Sequence, residues 1–236
     1  MIHATTKTTQ ETKIGLTPEI IAEAREAGIL EHILPSGSKI HFTFTKGRER
    51  NSFDVGRDET HTYLILHKAM KKKYVLNNDA SSKGWPSYSI RPYIKELFNS
   101  LPDDIKKIAV PMHIKQMLLS GETVESEDMA FLLSAVNVFG YDYTVRHPHR
   151  DFGTQIDIFE DPRNRLRFQH DTDTTCCWWL RSDLRSDDDN NERDVQYISC
   201  HGYAVGSDGG LTRVSSAMGE APMASLIFAV CIENRR

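Results

Sequence analysis

The run TTCCWWLRSDLRSDDDNNERD, residues 174–194, gathers two thiols, two indoles, three guanidiniums and a row of carboxylates and amides. Arg181 is of the type that grips a carboxylate or sulfate through its planar fork. Pairing with an internal acid or carbonyl is the favoured alternative, and Arg91 invites the same reading. Asp183, Asp187, Asp188, Asp189, Asn190 and Asn191 supply oxygen donors suited to Ca²⁺, with Arg185 among them as a further ligand contact. Their spacing departs from a twelve-residue calcium loop, because Glu192 stands where glycine is needed and Ile198 where the bidentate glutamate belongs. No resident metal or cofactor is expected.

A second group, Tyr141, Tyr143, Arg146 and His147 in YDYTVRHPHRDFG, can stack on sugars or bases and is the second choice for a binding surface, although a long surface loop is the favoured alternative. Cys176, Cys177, Cys200 and Cys231 all fall in the last quarter of the chain. They lack the paired spacing of a zinc site, and nothing fixes a histidine beside any of them as a base, so reduced, mostly buried thiols are expected. GSDGGL lacks the order of a phosphate loop and reads as a turn.

These residues need elements to hold them. On a strand, Trp178 and Leu180 face one way and Cys177, Trp179 and Arg181 the other, so the strand is covered on both faces and the polar run 183–194 is a loop leaving its end. Upstream, LTPEIIAEAREAGIL predicts a helix with Thr17 as cap, Pro18 at its first position, Gly28 as its stop and an apolar stripe through Ile20, Ile21, Ala24 and Ala27. Alternating Ile40, Phe42 and Phe44 predict a strand, and HTYLILHKA a more buried one. SYSIRPYIKELFNSL predicts a helix capped by Ser89 with Ile90, Tyr93, Ile94, Leu97 and Phe98 on one face. MAFLLSAVNVFG predicts a buried strand running into a helical turn ended by Gly140. Short strands follow at 176–181, 195–199, 203–206, 211–214 and 225–232.

The whole is predicted to be α+β, a single domain over 16–236 of mostly antiparallel sheet with flanking helices, preceded by a flexible arm at 1–15. Hydrophobic residues at 39% and charged residues at 26% suit a folded chain of 236 residues. A net charge of −4 offers no field to draw in nucleic acid, and Lys71, Lys72 and Lys73 read as a solvated patch beside a strand. The first residues, MIHATTKTTQETK, lack the layout of a secretory signal, and no apolar run of 18 residues points to membrane insertion.

Four phrases in order, GWPSYSIRPYIKELFNSLPDDIKK, SEDMAFLLSAVNVFG, WWLRSD and IFAVCI, resemble an uncharacterised domain family of Gram-positive gut bacteria and their prophages. That family is marked by W-x-x-S-x-x-R, D-x-x-F-L-L-S, W-W-L-R-S and F-x-x-C-I. Here the motifs fall on Trp85, Ser87 or Ser89, and Arg91; on Asp128 and Phe131 to Ser134; on Trp178 to Ser182; and on Phe228 to Ile232. The resemblance implies a self-contained α+β domain, similar in its C-terminal part to C-type-lectin-like folds, carried by phage structural genes. The expected function is a non-enzymatic virion structural or adhesion protein that displays the polar C-terminal loop. Its expected partners are other virion proteins or a host-surface glycan or protein, in an oligomeric assembly, and its expected place is the phage particle or otherwise the bacterial cytoplasm. The alternatives are an enzyme of formylglycine-generating-like fold and a purely structural capsid or tail assembly protein.

Overall fold

The computed structural model describes residues 2–5, 14–77, 84–118, 121–140, 152–183, 202–214 and 223–234. Strands β1 (Ile2–Thr5) and β2 (Ile14–Leu16) precede helices α1 (Pro18–Glu26) and α2 (Leu30–Ile33). A meander of β3 (Lys39–Thr43), β4 (Arg50–Arg57) and β5 (His61–Leu66) follows, then β6 (Lys68–Ala69) and β7 (Lys73–Val75). After a 3₁₀ turn at Trp85–Ser87 come α3 (Arg91–Asn99), α4 (Asp103–Ile108) and the hairpin β8 (Met112–Met117) and β9 (Thr123–Asp128). Helix α5 (Ala135–Phe139) leads to 3₁₀ turns at Asp157–Phe159 and Pro162–Arg165, then to β10 (Phe168–Gln169) and β11 (Trp178–Asp183). The chain closes with β12 (Gly202–Val205), β13 (Leu211–Val214), β14 (Met223–Ser225) and β15 (Ala229–Asn234).

Two sheets carry this one α+β domain, a six-stranded one ordered β15-β5-β4-β3-β1-β2 and a five-stranded one ordered β13-β12-β11-β14-β7. The first is antiparallel throughout, and the second has one parallel pair, β11 with β14. Residues 2–5, within the expected arm, pair with β3.

Strand β3 buries Ile40 and Phe42 and exposes His41 and Thr43, as alternation requires. Strand β4 is buried on both faces. Phe53 and Val55 enter the core, while the opposite face lies against segment 156–171, so closely that a Cβ on Gly56 would stand 2.6 Å from Ile156 Cγ2. The outer edge of β15 is closed as well: Val110 donates its N–H to the Cys231 carbonyl at 2.8 Å, and Phe131 and Ala229 exchange a bond pair at 2.8 and 3.0 Å.

Helix α1 starts where Thr17 and Pro18 place it, with Thr17 Oγ1 accepting from the Ile20 N–H at 3.3 Å. Ile21 and Ala24 are buried, but Ile20 is 41% exposed and leaves the expected stripe. Ser89 does not cap α3: its hydroxyl donates to Asn77 Oδ1 at 2.8 Å, and the helix begins at Arg91. The MAFLLS segment pairs only as the bridge at Phe131, while α5 behind it carries a reciprocal Ser134–Asn137 cap and ends on Gly140 at φ 78°. The strand expected over 225–232 is two strands. Leu226–Phe228, fully buried, carry the chain from the five-stranded sheet into the six-stranded one.

Candidate functional site

The four motif phrases meet inside the molecule. Trp85 Nε1–H donates to Asp128 Oδ2 at 2.9 Å, and Arg91 Nη2 donates to Asp128 Oδ1 at 2.6 Å while Nη1 reaches the Pro86 carbonyl at 2.7 Å. Arg181 is only 2% exposed and donates from Nη1 to the Leu132 carbonyl at 2.8 Å and to Asn137 Oδ1 at 3.1 Å. Ser182 Oγ accepts from the Ala135 N–H at 2.7 Å. Trp178 Nε1–H bonds the Arg165 carbonyl at 3.1 Å and Trp179 Nε1–H the Tyr74 carbonyl at 2.6 Å, so each indole of the pair finds a polar partner on a different side of β11. A charged group buried this deeply must be satisfied internally. These polar groups therefore close the core.

On the far face of β4, a chain of titratable groups runs Lys39–His67–Asp54–Arg167. Lys39 Nζ donates to His67 Nε2 at 3.0 Å, which places the ring proton on Nδ1, where it is given to Asp54 Oδ2 at 2.9 Å. Arg167 Nη1 donates to the same oxygen at 2.7 Å. Burial alone would raise the Asp54 pKa, but the His67 hydrogen bond and the Arg167 and Lys39 charges outweigh it and hold it at about 2.

A half-open groove of about 150 Å³ lies where β7, α3 and the β3–β4 turn meet. Tyr74 and Tyr93 form its walls, with ring centroids 5.6 Å apart and planes inclined at 57°. Glu49 and Glu96 supply carboxylates, Lys46 one opposing charge, and Phe44 and Leu97 apolar lining. Lys72 Nζ rests 5.4 Å from the Tyr74 centroid and 5.7 Å from that of Tyr93. Burial raises the Tyr74 pKa, and the charges of Glu49 and Glu96 add to the shift, so the phenol lies within the field of both acids. Glu49 Oε1 is 3.1 Å from His170 Nε2, whose N–H is given to the Arg50 carbonyl at 2.6 Å. The other ring nitrogen bonds Asp171 at 2.7 Å, and Asp171 also holds Lys71 at 2.7 Å.

The structure thus puts Arg181 in the core and Asp183 at the end of β11. Arg185, Asp187, Asp188, Asp189, Asn190 and Asn191, and the second group of Tyr141, Tyr143, Arg146 and His147, lie outside the described residues. Tyr93, expected on the buried face of α3, is 47% exposed, and with Tyr74 it is the pair that reasoning from sequence missed. The available signal was spacing: Tyr93, Glu96 and Leu97 share a helical face, and Lys72 stands two residues before Tyr74 at the entry to β7. Cys176, Cys177 and Cys231 carry free thiols, and burial pushes the Cys231 thiol up to about 12, which keeps it protonated and unreactive. Among the described residues, no helix is long and apolar enough to cross a membrane.

A family model described as a domain of unknown function, DUF6273, matches residues 60–216, more than half of the chain. No curated protein and no solved structure matches it.

Proposed function

The chain belongs to the DUF6273 family of domains of unknown function, and from that premise we propose that it is a non-enzymatic binding domain whose contact point is the Tyr74–Tyr93 groove. The observation that carries this reading is the groove itself: two tyrosines and two carboxylates gathered at the surface from three separate elements. The polar motif residues support it indirectly, since Arg91, Asp128, Arg181 and Ser182 are engaged in holding the core together. Aromatic side chains beside a few placed polar groups are the usual composition of a recognition surface.

The resemblance to a prophage-borne family of Gram-positive gut bacteria supplies the setting, a phage particle in which the domain serves structure or adhesion. The partner is then another virion protein or a host-surface glycan or protein. Mass spectrometry of purified particles tests the setting, with the chain expected at the copy number of a structural component. Its absence from particles would remove that part of the proposal. Contact is tested on glycan and peptide arrays with the full chain, Tyr93→Ala, and a Gly/Ser replacement of 184–193. The groove reading expects spots that the wild type holds and Tyr93→Ala loses. Binding lost only in the 184–193 replacement would move the contact to the polar run.

A further inference from the structure

We infer that the groove takes one cationic side chain, a lysine or arginine from a partner protein, and that Lys72 of this chain partly occupies its aromatic walls in the free state. The inference rests on the binding reading above and gives it a ligand class.

Size sets the first limit. Pockets for drug-sized ligands run to about 300–1,000 Å³, whereas about 150 Å³ matches the small cavities that accommodate a single benzene-sized group. A glycan residue with its neighbours does not enter such a space; one side chain does.

Chemistry sets the second. Ring faces attract cations within about 6 Å of the centroid, and Lys72 shows this on the groove's own tyrosines at 5.4 and 5.7 Å. Lys72 is exposed, so an incoming ammonium or guanidinium can displace it from the rings without opening the fold. Two carboxylates, Glu49 and Glu96, face Lys46 in the lining, and Lys72 over the rings makes up the balance in the free state, so its displacement leaves room for one cation. Glu49 lines the space with a side chain only partly buried, and its Oε1 stands 3.1 Å from His170 Nε2, so its carboxylate adds negative potential to the groove while His170 anchors it. Glu96 lines the space from α3, exposed and one turn from Tyr93, where an N–H of the incoming group can reach it.

The test uses the full chain and three capped tripeptides, Gly-Lys-Gly, Gly-norleucine-Gly and Gly-acetyllysine-Gly, titrated by NMR at low ionic strength. Lysine peptide should shift the Tyr74 and Tyr93 ring resonances while the two uncharged peptides do not. Lys72→Met should bind it about two- to fivefold more tightly, the effect of removing an exposed cation–π competitor. Glu96→Gln and Tyr93→Ala should weaken it by a similar factor, and rising salt should weaken it in the wild type. Tyr93, Glu96 and Lys72 are all exposed, so these variants should keep the wild-type melting temperature. Equal binding of the lysine and acetyllysine peptides, or an affinity that Lys72→Met leaves unchanged, overturns the inference. If array spots still depend on Tyr93 in that case, the binding reading stands and only the ligand class falls. If no spot depends on Tyr93, the binding reading itself has failed.

Discussion

Asp54 stays ionised because three basic residues face it, and its effect on stability has a definite sign with pH. Its folded-state pKa, about 2, lies below the ordinary 3.8, so its contribution is present above pH 3.8 and is lost as pH falls through 2. Asp58, held at about 2 through His61 and Tyr63 despite its burial, adds a term of the same sign. Denaturant unfolding between pH 5 and 2 should therefore show an acid limb that becomes shallower, without vanishing, in Asp54→Asn. At neutral pH the same variant leaves Arg167, 3% exposed, without its counter-charge, which should cost about 3–5 kcal/mol and lower Tm by roughly 10 °C. His170 acts in the opposite direction. Partial burial disfavours its charge, but the Asp171 and Arg50 hydrogen bonds and the Glu49 and Asp171 charges prevail and raise its pKa above 6.5. Its contribution is complete below 6.5 and is lost as pH rises through the raised value. Wild-type stability should thus decline slightly from pH 6 to 8, and His170→Gln should flatten that slope; an unchanged slope would place the decline elsewhere.

Between elements, Gly56 fixes how near segment 156–171 can approach β4. With Ile156 Cγ2 at 2.6 Å from the added carbon, Gly56→Ala must push the segment outward, at a cost of about 1–3 kcal/mol. Because Asp54 and Arg167 span the same contact, the cost should combine non-additively with Asp54→Asn in a double-mutant cycle. Simple additivity would show that the two contacts are independent. This approach was invisible in the sequence, whereas features written in neighbouring residues were legible. Thr17 with Pro18 located the start of α1, Ile40–Phe42–Phe44 the inner face of β3, and Gly140 the end of α5. What failed depended on distant partners. Ser89 has the right type and place for a cap, but Asn77, twelve residues earlier, takes its hydroxyl. Strand β9, TVESED, has no apolar alternation and exists because β8 offers it a register. Tyr93 has the spacing of the Ile90–Ile94 stripe, yet it lies at the stripe's margin, where its ring meets that of Tyr74 from a different element.

At the scale of the whole molecule, the question is whether two sheets behave as one cooperative unit. Leu226–Phe228 join them through a fully buried crossing, and the motif contacts lock the same region: Phe131 bonds β15 while its neighbours Leu132 and Leu133 bond Arg181 of β11. Loosening either sheet should release both. Trp178→Ala, which opens a cavity against Phe159, should cost about 3–5 kcal/mol and reduce soluble yield. The thiols supply a probe that needs no substitution. Cys177 is half-buried on the five-stranded sheet, whereas Cys231 is fully buried in the six-stranded one with its pKa near 12. In native buffer a thiol reagent should label Cys177 before Cys231, and Cys231 at a rate that follows global unfolding, dropping with every stabilising condition in proportion to the unfolding constant. In denaturant without reductant all four cysteines should react. If Cys231 is instead labelled under conditions where Trp fluorescence still reports an intact β11, the six-stranded sheet opens by itself, and the buried crossing at 226–228 does not couple the two halves.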